Sequence, residues 1–274
     1  MVLLSAVKLV SRMKIIVDYQ KDIIFNNDIY GYIVNSFEYS INCFNRFKYQ
    51  EVYEALNKIK ENNKTSFLCI DKLIEENELD DFKKYVESFM GLFDYLIFSD
   101  LSVLNFVDES LYNKLLYDPK TLISSSNELK FYKDLGIDCF IANELSKDEI
   151  LKMITNGAVI NMMVTGRVLM MYSRRPLVSL YKEFSSNDLI EKNKDDSYFY
   201  YLKEELRDEF YPVVENENGT FIFSDYIYNA LDFSKEIKEH INFLKISIDD
   251  FKSINESEGF LNKSSILLKG DKNE

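Results

Sequence analysis

Three arginines, Arg167, Arg174 and Arg175, lie within nine residues of one another in an otherwise acidic chain. Guanidinium groups form paired hydrogen bonds with carboxylates and phosphates, so this cluster is a candidate anion-binding site. Arginines also pair with acidic side chains in purely structural networks. Acidic residues of that kind follow at Glu204, Glu205 and Glu209. The sequence leaves both interpretations open.

Three further residues are candidates for contact with a substrate. Glu144 and Asp225 lie near the ends of predicted strands, where a carboxylate can act as an acid, a base or a hydrogen-bond acceptor. Structural pairing of either carboxylate with the nearby arginines is the commoner arrangement. Lys245, in the last predicted strand, is a further candidate for binding an anion.

Other kinds of catalytic site have little support. The chain has one histidine, His240, and no serine or cysteine lies in a recognisable nucleophile motif around it. A single histidine without a His-Glu-x-x-His motif leaves too few ligands for a catalytic zinc ion. The eight glycines are isolated and build no phosphate-binding loop. We expect no metal site and no cofactor.

The three cysteines, Cys43, Cys69 and Cys139, are far apart and form no Cys-x-x-Cys pair. This spacing favours neither a disulfide framework nor a closed zinc site. A reducing cytoplasm is therefore the expected location.

The formal net charge of the 274-residue chain is -13, which produces a field that repels phosphate backbones. Direct binding of nucleic acid is therefore disfavoured. The longest apolar stretch, residues 157–171, contains polar side chains and is shorter than the ~20 residues of a membrane helix. Residues 1–12 lack a signal-peptide cleavage site and are interpreted as a leading segment. We expect a soluble protein without a membrane contact.

The residues discussed above must be positioned by an alternation of strands and helices. Short, nearly continuous apolar runs are typical of strands covered on both faces. A helix is indicated over residues 75–93 by apolar residues at three- and four-residue spacing. The eight predicted strands are residues 15–17, 31–34, 66–70, 95–98, 114–117, 139–142, 159–164 and 243–248.

Two helix starts carry capping boxes, Ser125 with Glu128 and Ser146 with Glu149, and their helices run to glycines at 136 and 157. Eight strand-helix units are the number that closes a barrel. We therefore predict an α/β fold, a TIM-like (β/α) barrel over residues 13–260. An open, doubly wound sheet is the alternative.

Residues 172–230, here called the insertion, interrupt the alternation between strands seven and eight. They contain a polar loop at 185–197 and a hairpin predicted across residues 216–219. A helix is predicted at residues 234–241, around His240. Residues 261–274 are polar and are predicted to form a loose tail.

Several stretches carry a resemblance to a known family. Residues 117–146 are similar to a strand-helix-strand unit, and residues 163–173 to a signature in which Gly-Arg precedes a serine- and cysteine-bearing segment. Residues 211–223 are similar to the hairpin that follows, and residues 244–246 to the closing strand. In this order, from residue 13 to about 251, the chain resembles the collagenase-like peptidase family of unclassified catalytic type, number thirty-two.

The resemblance implies more than one activity. Some members are labelled peptidases, and others take part in hydroxylating tRNA, ribosomal RNA or ubiquinone precursors, often as paired subunits with an iron-sulfur cluster. Cluster-bearing members carry cysteines around and after the Gly-Arg segment, whereas this chain has Pro176 there and no cysteine beyond Cys139. Only Cys43 stands where a ligand would match, and Ser247 stands where many members carry glutamate.

We therefore expect an accessory or substrate-positioning subunit in tRNA uridine hydroxylation. Its partner would be a larger paralogous subunit, and RNA would be bound through that partner. Two alternatives stay open, a peptidase acting on peptides or collagen-like substrates and a non-catalytic interaction scaffold. A partner role predicts an exposed apolar surface, and a peptidase predicts a cleft with paired titrating groups.

Overall fold

The computed structural model describes residues 13–185, 198–203 and 209–247. The leading segment 1–12, most of the predicted polar loop 185–197, Glu204, Glu205 and the predicted tail 261–274 lie outside the described residues. Across the described part of the chain, no helix has the length and apolar character needed to cross a bilayer.

Strands and helices alternate along the chain, as predicted, and each predicted strand overlaps an observed one. The strands of the described residues are β1 (Lys14–Asp18), β2 (Gly31–Ser36), β3 (Arg46–Phe47), β4 (Thr65–Ile70), β5 (Tyr95–Phe98), β6 (Leu115–Tyr117), β7 (Asp138–Cys139), β8 (Ile160–Ser173), β9 (Tyr198–Lys203), β10 (Phe210–Asn216), β11 (Gly219–Asn229) and β12 (Ile241–Ile246). The α-helices are α1 (Tyr49–Glu61), α2 (Leu79–Phe89), α3 (Ser126–Asp134), α4 (Lys147–Thr155), α5 (Leu177–Ser185) and α6 (Leu231–Glu236).

The strands form one twelve-stranded sheet with a parallel and an antiparallel part. The parallel part runs from β7 through β6, β5, β4, β2, β1 and β12 to β8, and β3 pairs with β2. From β8 the sheet continues antiparallel through β11 and β10 to β9. The predicted mixed α/β class is confirmed, whereas the barrel stays a prediction.

A buried asparagine links strands at the two ends of the parallel part. Asn161, in β8, forms an isolated parallel bridge with Phe140, directly after β7. Its Nδ2 donates to the carbonyl oxygen of Cys139 at 3.0 Å, and its Oδ1 accepts from the N–H of Phe243 at 3.0 Å. The side chain of Asn161, in β8, therefore bonds both to the β7 segment and to β12.

The parallel strands bury apolar side chains on both faces, which explains their continuous apolar runs. One face packs against helices in a large core that includes Ile15 and Val17 of β1. The other face forms a smaller cluster with no helical member among the described residues. Its members are Ile16, Ile33, Phe67, Cys69, Ile97, Leu116, Phe140 and Phe243.

The helix boundaries set by local signals are confirmed. Ser125 Oγ accepts from the N–H of Glu128 at 3.3 Å, and a carboxylate oxygen of Glu128 accepts from the N–H of Ser125 at 2.9 Å. The same reciprocal bonds join Ser146 and Glu149 at the start of α4. The glycines at 136 and 157 follow these helices in the left-handed region, with φ of +87° and +83°.

Two predicted helices have different bounds in the structure. The stretch predicted at 75–93 is a 3-10 turn, Glu76–Glu78, followed by α2. The helix predicted at 234–241 is observed only in part, because α6 covers Leu231–Glu236 and follows a turn in which the side chain of Asn229 accepts from the N–H of Leu231 at 3.1 Å. The chain then makes a 3-10 turn, Lys238–His240, since Ile241 already pairs with Ile160 at the start of β12.

The insertion extends the sheet through the predicted hairpin. Asn216 of β10 pairs with Gly219 of β11 across the turn, as predicted. Strand seven was predicted to end at residue 164, but β8 continues to Ser173 because its second half pairs with β11. The carboxylate of Glu215 accepts from the N–H groups of Val178 and Ser179 at 2.8 and 3.1 Å, which fixes the start of α5 against the hairpin.

Candidate functional site

Polar side chains follow the apolar parallel strands at one edge of the sheet. Asp18 ends β1, Asp71 directly follows β4, Asp118 directly follows β6 and Lys245 is the penultimate residue of β12. The carboxyl ends of parallel strands are where both open sheets and barrels place ligand sites. Asp71, Asp118 and Lys245 line a pocket of about 80 Å³, large enough for several water molecules or a small polar group.

Two aspartates and two lysines on the pocket wall form a connected ionic quartet, Asp71, Lys120, Asp118 and Lys245. The Nζ of Lys120 lies 2.8 Å from Oδ2 of Asp71 and 2.6 Å from Oδ2 of Asp118. The Nζ of Lys245 lies 3.2 Å from the same oxygen of Asp118. The four side chains are between 4% and 17% exposed, so water screens these charges less than it screens a surface pair.

The quartet keeps Asp71, Asp118 and Lys120 charged at neutral pH. Burial by itself would raise the pKa values of Asp71 and Asp118, but the ammonium groups of Lys120 and Lys245 outweigh it and hold both pKa values below their ordinary range. Burial would lower the pKa of Lys120, but the two carboxylates raise it well above its usual value. Neither carboxylate is therefore suited to act as a general base near pH 7.

Lys120 also has an unusual backbone. Its φ of +68° is in the left-handed region, which costs a non-glycine residue about 1–2 kcal/mol. Its carbonyl oxygen accepts from the N–H of Asn143 at 3.2 Å, while its side chain is held by two carboxylates. Such conformations persist where surrounding contacts determine them, and they concentrate at functional sites.

A second buried polar group lies at the ends of β1, β2 and β12. The fully buried Asp18 accepts from Nδ2 of Asn35 at 3.2 Å and from Oγ of Ser247 at 3.4 Å. Asn35 and Ser247 both line the pocket. Asp18 therefore orients two polar groups that face the same space as the quartet.

Arg167 lines the pocket from β8, and the residues around it explain its direction. A Cβ at Gly166, where φ is +144°, would lie 2.8 Å from the Cβ of Ser247, so the close approach of β8 to β12 requires glycine. Nη1 of Arg167 donates to the carbonyl oxygen of Ser224 at 2.9 Å, and Oγ of Ser224 accepts from the N–H of Val168 at 3.0 Å. Ser224 follows a register shift in β11, and such irregularities redirect side chains.

One wall of the pocket is the loop between β2 and β3, residues 41–45, called here the 41–45 loop. Ile41, Cys43 and Phe44 of this loop line the pocket. The same residues pack against Val214 and Phe221 of the β10–β11 hairpin. The insertion therefore contributes to the site by packing against this loop and by placing Phe223 in the pocket wall.

The other two predicted arginines do not line the pocket. The side chain of Arg174 is 41% exposed and pairs with Glu75, a partner that sequence reasoning did not consider. Arg175 is exposed, and its carbonyl oxygen accepts from the hydroxyl of Thr220 at 2.8 Å. Of the three clustered arginines, only Arg167 lines the pocket, where Lys245 is also found.

The predicted acidic candidates also lie elsewhere. Glu144 is exposed and Asp225 is half-buried, and neither lines the pocket. Both lie close enough to Tyr226 to affect it, since burial first and then these two carboxylates raise the pKa of Tyr226 to about 12. His240 lies half-buried in its 3-10 turn and does not line the pocket either.

Sequence reasoning missed three members of the quartet, Asp71, Asp118 and Lys120. A signal was present for the two aspartates, because each is the first residue after a buried parallel strand. Lys120 carries no comparable signal, since its role depends on a left-handed backbone and on two strands that meet only in the fold.

The cysteines do not fit an iron-sulfur cluster. Cys43 lines the pocket, whereas Cys69 and Cys139 lie in the buried strands beneath it and do not. Burial raises the pKa values of all three thiols, to about 12 for Cys139, which opposes the thiolate form that a ligand needs. Four such ligands are usual, and the chain has three cysteines.

The fold and the pocket define an α/β protein with a buried ionic site at the carboxyl ends of its parallel strands. A family model described as peptidase family U32 matches residues 31–252. The chain belongs to this family, and the resemblance predicted from the sequence is confirmed.

Two comparisons describe its relatives. The tRNA hydroxylation protein P2 of Bacillus subtilis (strain 168) is 26% identical over 228 residues, which cover 81% of this chain and 71% of the relative. A solved structure of the U32 peptidase Mk0906 superposes with a TM-score of 0.53 at 10% identity, covering 88% of this chain and 94% of the other. At that identity the structural likeness shows the fold alone.

Proposed function

We propose that this protein is an accessory, substrate-positioning subunit in tRNA uridine hydroxylation. The reaction is suggested by the relative named tRNA hydroxylation protein P2. The positioning role is supported by the ionic quartet, because Asp71, Asp118 and Lys120 stay charged at neutral pH and the four side chains hold one another in place. Fixed charges of this kind orient a bound group and do not exchange protons with it.

The bound group would be anionic. Three cations line the pocket, Lys120, Lys245 and Arg167, against two carboxylates, Asp71 and Asp118, which leaves an excess of one positive charge. A guanidinium group and an ammonium group together suit a small anionic group. Arg167 and Lys245 are the residues we assign to that contact.

The peptidase alternative has less support from the site. Among the described residues that line the pocket, the nucleophile-type side chains are Cys43 and Ser247, and no histidine accompanies them. Burial raises the pKa of Cys43, and the hydroxyl of Ser247 donates to the buried Asp18. The raised pKa opposes formation of the Cys43 thiolate, and no histidine of the described pocket lining accompanies the pair of Ser247 and Asp18 to act as the base.

A partner is supported by apolar side chains on the outer surface of β8 and the insertion. Large exposed apolar groups often mark contact surfaces between proteins. The exposed fractions are 52% for Met170, 48% for Leu180, 59% for Tyr181, 90% for Phe184 and 52% for Leu202. The proposed partner is a larger paralogous subunit that would hold the iron-sulfur cluster, and RNA would be bound through it because this chain carries a net charge of -13.

We further infer that the eight parallel strands close into a TIM-like barrel. The bridge between Phe140 and Asn161 supports closure, because it joins the β7 segment to β8, the other end of the parallel series. The smaller apolar cluster around Phe67 and Phe243 also supports closure, because it has no helical member among the described residues. In a closed barrel, side chains from opposite strands fill the interior and bury such a cluster without helices.

The substrate-positioning role can be tested by restoring tRNA modification in cells that lack the protein. Hydroxylated uridine in total tRNA is measured by mass spectrometry of nucleosides after complementation with wild type, Arg167→Met or Arg174→Met. We expect wild type and Arg174→Met to restore the modification, and Arg167→Met to reduce it at least about tenfold, as loss of a buried charged contact predicts. No restoration by wild type, or equal restoration by both variants, would contradict the proposal.

The partner is tested by purifying the tagged protein from its own cells, with mass spectrometry of bound chains and iron and absorbance measurements of the eluate. A larger, cysteine-rich paralogue with a brown chromophore is the expected result. A colourless monomer that cleaves a peptide library would refute the accessory role and favour the peptidase.

A further inference from the structure

Asp71 contacts two different parts of the molecule through its two carboxylate oxygens. Oδ2 lies 2.8 Å from the Nζ of Lys120, within the ionic quartet. Oδ1 accepts from Oγ of Ser40 at 2.7 Å and from the N–H of Ile41 at 3.0 Å. Asp71 therefore joins the fixed charges of the pocket to the start of the 41–45 loop.

The 41–45 loop is built largely from bonds to its own neighbours. The N–H of Phe44 donates to Oδ1 of Asn42 at 2.7 Å, and the N–H of Asn42 donates to Oγ of Ser40 at 3.1 Å. The loop ends at Asn45, which has a left-handed backbone with φ of +48°. The loop therefore keeps its own shape through local bonds and ends at a residue with an unusual backbone conformation, as hinge residues often have.

The loop is held by apolar packing and by hydrogen bonds, and the hairpin contributes to both, because Nδ2 of Asn218 donates to the carbonyl oxygen of Ser40 at 3.3 Å. On its outer side, Phe44 packs against Val214 and Phe221 of the hairpin, and such apolar contacts are not directional. On its inner side, Asp71 makes two hydrogen bonds, which depend on distance and angle. Asp71 therefore supplies two of the hydrogen bonds that hold the start of the loop, beside the one from Asn218.

We propose that the 41–45 loop is a lid over the pocket and that Asp71 is the positioning residue that holds it closed. Because loop side chains form one wall of the pocket, movement of the loop opens a path to the quartet and Arg167. The lid would admit a small polar ligand to the site and then close on it. This inference concerns access to the pocket and does not depend on a role in tRNA hydroxylation.

Cys43 provides a direct readout, because it lies in the loop and is 8% exposed. The native protein is treated with iodoacetamide at fixed pH, and labelling of each cysteine is followed by peptide mass spectrometry. Cys69 and Cys139 serve as internal controls, since both are buried in strands and become labelled only if the protein unfolds. Selective labelling of Cys43 therefore measures opening of the lid.

The main variant is Asp71→Ala, and the matched control is Asp94→Ala. Asp94 likewise accepts from one backbone N–H and one serine hydroxyl, both of Ser66, at 2.8 and 3.0 Å, but at the opposite end of β4. Asp71→Asn removes the same charge as Asp71→Ala while keeping an oxygen that can accept from Ser40 and the loop. It therefore separates loss of the hydrogen bonds from the change in charge near the thiol.

We expect Asp71→Ala to label Cys43 at least about tenfold faster than wild type, as the loss of two hydrogen bonds to a charged acceptor predicts. Asp94→Ala is expected to match wild type, and Asp71→Asn to lie much closer to wild type than to Asp71→Ala. If Asp71→Ala unfolds, Ser40→Ala removes one of the two bonds to Asp71, together with the bond from the N–H of Asn42, without altering the quartet, and should accelerate labelling a few-fold. The proposal is overturned if Asp71→Ala labels Cys43 at the wild-type rate. If that variant unfolds, a wild-type rate in Ser40→Ala overturns it. Equal labelling rates in Asp71→Ala and Asp71→Asn would also overturn it.

Discussion

Replacement of Lys120 by methionine tests how far the ionic quartet stabilises the site. Methionine keeps an apolar stem but removes the ammonium group that lies 2.6 Å from Asp118 and 2.8 Å from Asp71. The two buried carboxylates are then left with Lys245, 3.2 Å from Asp118. Removal of one partner from a buried ion pair costs about 3–5 kcal/mol. Because the Lys120 side chain is 17% exposed, we expect the free energy of unfolding to fall by an amount at the lower end of that range. Such a loss is a large part of an ordinary domain's stability.

The loss should depend on pH. In the wild type the pKa values of Asp71 and Asp118 are lowered, so their contribution to stability is present above their unfolded pKa of about 3.9 and is lost as the pH falls through the folded values. In Lys120→Met, one of the two ammonium groups that lower the pKa values of these carboxyls is gone. The effect of burial then raises those pKa values, so the carboxyls can be protonated in mild acid. The difference in free energy of unfolding between wild type and variant is therefore largest near neutral pH and smaller at about pH 5.

Urea unfolding followed by circular dichroism at neutral and mildly acidic pH measures this difference. The matched control is Lys130→Met, which removes an ion pair of the same 2.6 Å length, with Asp134, whose side chains are 70% and 64% exposed. That variant should lose less than about 0.5 kcal/mol. The reasoning is refuted if Lys120→Met loses no more than Lys130→Met near pH 7, or if its loss is the same at both pH values.

Two further substitutions test how the insertion and β8 are positioned. Glu215→Ala should lower the free energy of unfolding by about 2 kcal/mol, because the first turn of α5 loses a buried carboxylate acceptor. Glu215→Gln should lower it less, and the urea midpoints of both variants check this. Gly166→Ala should destabilise the protein by more than Gly157→Ala. Both glycines have positive φ, but only the new Cβ at 166 would lie 2.8 Å from Ser247, whereas nothing lies within 4 Å of one at 157. Equal thermal shifts in the two alanine variants would contradict this account.

The parts of the fold that could be predicted are those encoded by nearby residues. The capping boxes at Ser125 and Ser146 need only three residues of spacing, and both helices begin where predicted. The parallel strands were recognisable because burial on both faces requires apolar runs. The end of β8 was not recognisable from the sequence, since the length of this strand depends on pairing with β11, which lies far along the chain.

The site was predicted only in part for the same physical reason. Arg167 was chosen as part of an arginine cluster after predicted strand seven, and Lys245 as a charged residue in the last predicted strand, and the fold brings both to one pocket. Arg174 belongs to the same sequence cluster, but it is drawn to Glu75, a residue 99 positions away. The pairing of Lys120 with Asp71 likewise joins different strand ends, so a single sequence without its topology offers no measure of their distance.

The pairing of β1 with β12 has a consequence for synthesis of the chain. The Nζ of Lys14, in β1, donates to Oδ1 of Asn242, in β12, at 3.0 Å across a separation of 228 residues. At about 5–20 residues per second, β12 is translated roughly 10–50 s after β1. During that interval one edge of β1 stays without its native partner, while the β2 edge can already pair. A chain truncated before residue 241 would therefore keep one edge of β1 open to association with other chains.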